Sequence, residues 1–145
     1  AGKAITEAGR RTLNIVHPDA ADLGFLYGTI LTDDAPPPAP SYNLCVFADG
    51  QVDRSPTGSG VTARMAADHA RGLIAAGVER SFSGPTGIPF TATAIGETKA
   101  GTIPAVQVRV AGHASFTGTA TFAIDPADAL GFGFTLPASY GALRR

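Results

Sequence analysis

The fold is decided by residues 51–77, which read QVDRSPTGSGVTARMAADHARGLIAAG. From Val61 to Ile74 the apolar residues recur at the spacing of one helix face, and Gly77 ends the run. Many of the remaining positions are alanine, so the helix is thin and a sheet can approach it closely. The stretch therefore predicts one long helix that follows a glycine-rich loop.

The segments on both sides of this helix have the pattern of strands. Before it, residues 24–31 (GFLYGTIL) and 43–48 (NLCVFA) are short and apolar, and Asp49-Gly50 then marks a turn. After it, three segments alternate between apolar and polar residues: 90–95, 105–110 and 119–124. Because this order lacks a regular βαβ alternation, it predicts an α+β domain in which a mostly antiparallel sheet wraps around one long helix.

Two further segments complete the first third of the chain. Residues 4–16 have apolar residues near helical spacing, and Pro18 should end that helix by about His17. Residues 33–41 (DDAPPPAPS) contain four prolines, which lack the N–H groups that a central strand needs. We therefore expect a helix followed, after the first strand, by a surface loop.

The composition indicates one globular domain and excludes several classes of partner. The chain has 145 residues, of which 44% are hydrophobic, and a net charge of −1, so neither nucleic acid nor an anionic membrane surface is expected to bind. Its apolar runs are far shorter than the ~20 residues of a membrane span. The single cysteine excludes an intrachain disulfide and fits a reducing cytoplasm, where we expect the protein to be located.

The glycine-rich loop before the helix is the candidate binding site. Gly58 and Gly60 flank Ser59 where several backbone N–H groups have no intrahelical acceptor and the helix dipole is positive. An anion such as a carboxylate or phosphate suits this position. The alternative is an ordinary helix start, capped by a serine or threonine of the loop, with Asp53 placed ahead of the dipole. The pattern alone leaves both interpretations open.

A nucleotide site is a weaker interpretation of the same loop. Gly58, Gly60 and Ala63 fit the dinucleotide fingerprint, and Glu79 lies near the distance expected of a ribose-binding acid. However, Asp53, Arg54, Ser55 and Pro56 intervene before the fingerprint, which a strand should precede directly, and no second βαβ unit follows. Nucleotide binding therefore ranks last among the candidate functions.

Neither a metal ion nor an activated nucleophile is expected. His17, Asp19 and Asp22 lie in the segment HPDAAD, which is typical of a polar connection between a helix and a strand. Cys45 lies in an apolar strand without positively charged neighbours in sequence, so we expect it to be a small buried side chain. The chain thus offers a site for an anion but no obvious base.

Residues 46–65, VFADGQVDRSPTGSGVTARM, resemble the C-terminal catalytic segment of the proline racemase superfamily. This superfamily contains racemases, epimerases and dehydratases of proline and hydroxyproline. Weaker similarity extends upstream to residues 17–18 and 23–30, and downstream as far as residues 125–132 (DPADALGF). Residues 87–90 (GIPF) depart from the family pattern, in which a small hydroxylated residue more often follows the glycine.

The resemblance implies a fold similar to that of diaminopimelate epimerase, in which two similar domains face each other across the substrate. Residues 1–145 would form the C-terminal domain, and their partner would be the N-terminal domain of the same protein, outside this chain. The substrate would be a small molecule, hydroxyproline, and no cofactor is implied. The oligomeric state is left open, a homodimer included.

Roles for individual residues follow from the resemblance by position. Asp53 would bind the ring ammonium of the substrate, the amides of Gly58 and Ser59 would bind its carboxylate, and Phe47 would supply an apolar wall. Thr57 occupies the position at which racemases and epimerases of the superfamily carry their second catalytic cysteine.

Threonine at this position favours dehydration over racemisation. A thiol, with an ordinary pKa of ~8.5, becomes a competent base at a helix N-terminus, whereas a threonine hydroxyl is a far weaker acid. Loss of water needs only one base, a cysteine of the N-terminal domain. The resemblance therefore implies a cofactor-independent trans-3-hydroxy-L-proline dehydratase, a hydro-lyase that forms pyrroline-2-carboxylate, with this chain inactive alone.

Two other functions stay open at this point. One is a proline racemase or 4-hydroxyproline 2-epimerase that tolerates Thr57. The other is a non-catalytic carboxylate-binding module, because no base is visible within the chain.

Overall fold

The computed structural model describes residues 1–33 and 35–136, which contain two α-helices and six strands. The helices are α1 (Gly2–Thr12) and α2 (Gly58–Ala70). The strands are β1 (Gly28–Thr32), β2 (Ser41–Phe47), β3 (Gln51–Val52), β4 (Glu79–Ser83), β5 (Phe90–Ala100) and β6 (Ile103–Ala111). The chain divides into two compact units, residues 1–114 and 115–145, and all of these elements belong to the first.

One sheet of mixed direction runs through the first unit. Its strand order is β1-β2-β4-β5-β6, and β3 pairs with β2. β2 and β4 are parallel, with Ser41 opposite Phe82, whereas the other neighbouring strands are antiparallel. The parallel pair arises because α2 lies between β2 and β4 in the chain and acts as a crossover connection. The α+β class is confirmed, but the sheet is mixed, and the residues that the structure describes contain two α-helices.

Both helices end earlier than their apolar periodicity predicts. α1 ends at Thr12, because Leu13 already has extended backbone angles. α2 ends at Ala70 because Gly72 adopts a φ of +71°. The N–H of Gly72 then donates to the carbonyl of His69, and the N–H of Leu73 donates to that of Asp68. These two bonds form a Schellman motif, which closes the helix one turn before Ile74.

The strand predicted at residues 119–124 is wrong. Within residues 115–136 the structure contains turns and no strand, and Phe122 is 90% exposed. An alternating pattern specifies a surface that can pair, but a strand also needs a neighbour, and the described part of the second unit supplies none. Conversely, β4 was not predicted, because its sequence ERSFS is mostly polar.

The core of the first unit lies between α2 and the sheet. Val61 and Met65 of α2 are fully buried against Phe82 of β4 and Ala92 of β5. Ala92 is only 1% exposed, and its small side chain lets the helix lie close to the strand. The first part of the helical spacing that the sequence shows, at Val61 and Met65, thus corresponds to the buried face of α2, whereas Ala70 is exposed.

A buried ion pair ties α2 to β4. Arg80 is 1% exposed, and its Nη1 donates to Oδ2 of Asp68 at 2.6 Å. The other guanidinium nitrogens donate to the carbonyls of Ala39 and Ala35 in the proline-rich loop. The same guanidinium lies 5.2 Å from the centroid of the Phe82 ring. Arg80 therefore joins the loop, the helix and the sheet at one point.

α1 and α2 have 11 and 13 residues, and no helix in the described part of the chain is long and apolar enough to cross a membrane.

Replacing Asp68 by alanine should lower the free energy of unfolding by about 3 kcal/mol or more. The change leaves the Arg80 guanidinium buried without its carboxylate, and an unpaired buried charge is costly. Urea unfolding measures the effect. The exposed pair between Lys3 and Asp49 is the control, because solvent surrounds both side chains and such pairs contribute little. If Asp49→Ala and Asp68→Ala shift the unfolding midpoint equally, the importance assigned to the buried pair is wrong.

Candidate active site

A cleft of about 480 Å³ opens between the start of α2 and strands β1 and β2. Its lining contains all five residues that the resemblance assigns to the site: Phe47, Asp53, Thr57, Gly58 and Ser59. The strands contribute mainly apolar side chains, and the loop before α2 contributes polar groups. The structure thus brings the predicted site residues together in one cleft.

The chain reaches this position through a tight turn after β2. Gly50 has a φ of +93° in the turn, which confirms the predicted Asp49-Gly50 turn and lets β3 run back along β2. The N–H of Asp53 then donates to the carbonyl of Cys45 at 3.0 Å. Pro56 is fully buried, and α2 begins two residues later. The loop is therefore anchored to the sheet before the helix starts.

The carboxylate of Asp53 organises the loop. Its Oδ1 accepts the N–H of Ser55 at 2.9 Å, and its Oδ2 accepts the hydroxyl of Thr57 at 2.8 Å. Partial burial raises the pKa of Asp53, but the hydrogen bonds from Ser55 and Thr57 and the nearby charge of Arg54 outweigh it, so the pKa lies below its ordinary value. Asp53 is therefore ionised at neutral pH and supplies a negative charge at the cleft.

Thr57 precedes α2 in an unusual backbone conformation. Its φ is 68° and its ψ is 100°, which is rare for a β-branched residue. Its N–H donates to Oγ of Ser55 at 3.0 Å, while its hydroxyl proton is directed to Asp53. The hydroxyl proton of Thr57 is therefore held by Asp53, and Thr57 lines the cleft.

The first turn of α2 is not capped by a side chain among the described residues. The hydroxyl of Thr57, which stands at the N-cap position, bonds to Asp53 instead of to a helix amide. Of the two interpretations left open by the sequence, the ordinary side-chain-capped helix start is therefore not observed. The unsatisfied amides and the helix dipole favour an anion at this end of the cleft.

The two glycines at the helix start have different roles. A Cβ added to Gly58 would meet no atom of the described residues within 4 Å, so this glycine borders open space. A Cβ added to Gly60 would lie 2.0 Å from Cδ1 of Ile30. A larger residue at position 60 would thus force the Ile30 side chain of β1 to move, whereas Gly58 leaves the backbone open to a ligand.

The apolar wall contains residues that sequence reasoning did not assign to the site. The rings of Tyr27 and Phe47 lie 5.7 Å apart between centroids, and Tyr27 also lines the cleft. The sequence feature that could have identified Tyr27 is its position immediately before Gly28, the first residue of β1. Cys45 is buried at 7% exposure, as predicted, and also borders the cleft.

His17 and Asp19, which were considered for a metal site, form hydrogen bonds with backbone groups. Nδ1 of His17 accepts the N–H groups of Asp19 and Ala20, and the carboxylate of Asp19 accepts the N–H of Gly101. Within residues 1–33 and 35–136, no group of three His, Cys, Asp or Glu side chains is placed to hold a metal ion. Glu79 lies at the start of β4 and, in the described structure, does not line the cleft.

Comparison with known proteins places the chain in a family. The model of the family described as Proline racemase matches residues 1–135. The chain is 53% identical to trans-3-hydroxy-L-proline dehydratase of Homo sapiens and 40% identical to that of Azospirillum brasilense, over 94% and 92% of its length. It spans 39% and 40% of the lengths of those two proteins.

Solved structures with the same fold belong to the same group. One is a hydroxyproline epimerase from Agrobacterium vitis with bound trans-4-hydroxy-L-proline, with a TM-score of 0.76 and 30% identity over 93% of this chain and 39% of that one. Another is a probable proline racemase from Agrobacterium radiobacter K84 with bound carbonate, with a TM-score of 0.76 and 28% identity over 97% of this chain and 41% of that one. The family model, the relatives and the shared fold agree over nearly the whole chain, which therefore belongs to the proline racemase family.

Proposed function

We propose that this chain forms one wall of the active site of a trans-3-hydroxy-L-proline dehydratase. The observation that carries the proposal is Thr57, whose hydroxyl donates to Asp53 where a racemase of the family would need a second thiol. The relatives that bear the dehydratase name at 53% and 40% identity support the same function.

The substrate binds through its charged groups and its ring. The ionised carboxylate of Asp53 holds the ring ammonium, and the amides of Gly58 and Ser59, which border the cleft, hold the carboxylate. Phe47 and Tyr27 cover the apolar side of the ring. This arrangement fits an imino acid, whose α-carbon carries an ammonium group and a carboxylate. Asp53 is negative and attracts the ammonium, and the positive end of the α2 dipole attracts the carboxylate.

The reaction removes the α-proton and the 3-hydroxyl. A base takes the proton from the α-carbon, and the C–H electrons form a double bond to the β-carbon as the 3-hydroxyl leaves as hydroxide. The protonated base then gives that proton to the hydroxide, which forms water. The product is pyrroline-2-carboxylate. Negative charge develops on the substrate carboxylate as the proton leaves, and the amides and dipole at the start of α2 stabilise it.

Thr57 does not act as the base. Its proton points to Asp53, and the lowered pKa of Asp53 makes this carboxylate a poor acceptor for that proton. The base is instead a cysteine of an N-terminal domain that faces the cleft. In support of such a domain, the chain spans only 39% of the length of its human relative.

A 4-hydroxyproline 2-epimerase is the second candidate, and the structural similarity to such an epimerase favours it. Epimerisation needs a base on each face of the α-carbon. Because Thr57 lacks a group to deprotonate it, the dehydratase is the better-supported function.

The full-length protein should convert trans-3-hydroxy-L-proline to pyrroline-2-carboxylate without an added cofactor. NMR of the reaction mixture detects loss of the 3-hydroxyl and of the α-proton. L-Proline is the control substrate, because it has no hydroxyl to eliminate and should remain unchanged. Racemisation of proline without any dehydration of the hydroxylated substrate would refute the proposal.

The Thr57→Cys variant should gain proton exchange on the second face of the α-carbon. A thiol at the N-terminus of α2 ionises far more readily than the threonine hydroxyl, so proline incubated in D₂O should acquire deuterium with inversion. Thr57→Ser is the matched control, because serine keeps a hydroxyl for Asp53 and adds no second base. Exchange confined to one face in the cysteine variant would show that the role assigned to Thr57 is wrong.

The Asp53→Asn variant should raise the KM for trans-3-hydroxy-L-proline by roughly 10- to 100-fold, the usual range for losing a hydrogen bond to a charged group. Its affinity for pyrrole-2-carboxylate should change less, because the pyrrole nitrogen carries no charge. Asp49→Asn, a carboxylate on the nearby turn and 92% exposed, is the control. Equal losses for both ligands would contradict an ammonium-binding role.

The pH dependence of substrate binding follows from the lowered pKa of Asp53. A carboxyl group with a depressed pKa in the folded protein keeps its charge below the ordinary range, so its contribution is lost only as the pH falls through the depressed value. Wild-type affinity for the substrate should therefore be unchanged between about pH 7 and pH 5, since both lie above the ordinary Asp pKa of ~3.9. A fall in affinity within that interval, measured by calorimetry, would contradict this assignment.

A further inference from the structure

A buried asparagine on β2 holds the loop that precedes Thr57. Asn43 is fully buried, and its Nδ2 donates to the carbonyl of Pro56 at 2.8 Å. Its Oδ1 accepts from Nη1 of Arg64 at 2.6 Å. Both ends of the side-chain amide are therefore occupied, and its orientation is fixed by partners in the loop and in α2.

Arg64 is itself held in place from two directions. It lies in the second turn of α2, and its guanidinium lies 5.1 Å from the centroid of the Phe82 ring on β4. The same Nη1 approaches the carbonyl of Tyr42 at 3.4 Å. Arg64 thus connects β2, β4 and α2, with the amide of Asn43 at the centre of the connection.

The loop is also clamped on the side that faces β4. A Cβ added to Gly84 would lie 2.8 Å from the carbonyl carbon of Ser55 and 2.9 Å from the nitrogen of Pro56, so the two backbones are in direct contact. The hydroxyl of Thr86 donates to the carbonyl of Arg54 at 3.2 Å. Contacts from β2 and from the turn after β4 therefore restrict the peptides just before Thr57.

The conformation of Thr57 requires such restraint. A β-branched residue with a φ of 68° is unfavourable by itself and persists only where the surrounding structure holds it. The carbonyl of Pro56 belongs to the peptide that carries the N–H of Thr57. The hydrogen bond from Asn43 therefore fixes the plane of that peptide, and with it the direction in which the chain enters α2.

We propose that Asn43, oriented by Arg64, is a positioning residue for the substrate carboxylate. By holding the carbonyl of Pro56, it fixes the direction in which the amides of Gly58 and Ser59 face the cleft. Neither Asn43 nor Arg64 is among the residues that line the cleft in the described structure, so they act through the loop. The identity of the anion rests on the proposed function, whereas the positioning of the loop does not.

The first test compares Asn43→Ala with Ser41→Ala in the full-length protein. Ser41 lies two residues earlier on β2, is 4% exposed, and donates to Asp33 at 2.6 Å, away from the loop. Asn43→Ala should weaken binding of pyrrole-2-carboxylate and raise the KM for trans-3-hydroxy-L-proline about tenfold, the ratio that one lost hydrogen bond typically gives. The kcat should change less, because the base lies outside this chain.

Ser41→Ala should lower the melting temperature by an amount similar to that of Asn43→Ala without changing either the affinity or the KM. If the two variants are equally destabilised and equally unchanged in affinity and KM, Asn43 has only a structural role and the proposal is wrong.

Hydrogen exchange of the protein without ligand separates this inference from the proposed function. Amides in residues 54–59 should exchange faster in Asn43→Ala than in the wild type or in Ser41→Ala, as measured by mass spectrometry. Unchanged exchange would overturn the positioning role, whatever the enzyme does. A wild-type protein that fails to dehydrate hydroxyproline would instead refute the proposed function alone.

If Asn43→Ala does not fold, substitutions of Arg64 give the same test. Arg64→Met removes the donor to Oδ1 of Asn43, whereas Arg64→Lys keeps a donor. The methionine variant should bind pyrrole-2-carboxylate more weakly than the wild type, and its amides in residues 54–59 should exchange faster. The lysine variant should be closer to the wild type in both measurements. A methionine variant that matches the wild type in both measurements would overturn the proposal.

Discussion

The absence of a side chain at Gly60 lets the first turn of α2 meet the end of the Ile30 side chain on β1. A Cβ at residue 60 would lie 2.0 Å from Cδ1 of Ile30, so a larger residue there would force that side chain to move. Gly60 and Ile30 both line the cleft. The polar loop before the helix and the apolar side chains of β1 and β2 therefore border one cavity.

Asp53 joins the structural and chemical properties of the loop. The same carboxylate that orders the turn, through Ser55 and Thr57, also supplies the charge at the cleft. Its hydrogen bonds stabilise the ionised form more than burial opposes it. A carboxylate with these properties can attract a cation and stay ionised at neutral pH, as its proposed role in binding an ammonium group requires.

The parts of the structure that depend on residues close together in the sequence could be predicted. The helix start at residues 58–60, the turn at Asp49-Gly50 and the gathering of Asp53, Thr57 and Ser59 in one loop all reflect short-range patterns. The role of Gly60 could not be predicted, because it depends on Ile30, thirty residues earlier. For the same reason the parallel pairing of β2 and β4 was missed, since periodicity contains no information on which strands become neighbours.

Polar residues in the core were the hardest to predict. Asn43 and Arg80 lie in strands and carry polar groups, and sequence rules place such side chains at the surface. Both are buried because partners from distant segments satisfy them: Pro56 and Arg64 for the asparagine, and Asp68 and two loop carbonyls for the arginine. Only the folded chain brings these partners together.

The positive φ of Thr57 has a consequence for the stability of the loop. A β-branched side chain is less suited to this backbone than an unbranched one, so the threonine is kept at some cost in folding stability. An unbranched residue would relieve that cost, but only one with a hydroxyl would keep the hydrogen bond to Asp53. The strain of the backbone and the order of the carboxylate therefore depend on the same side chain.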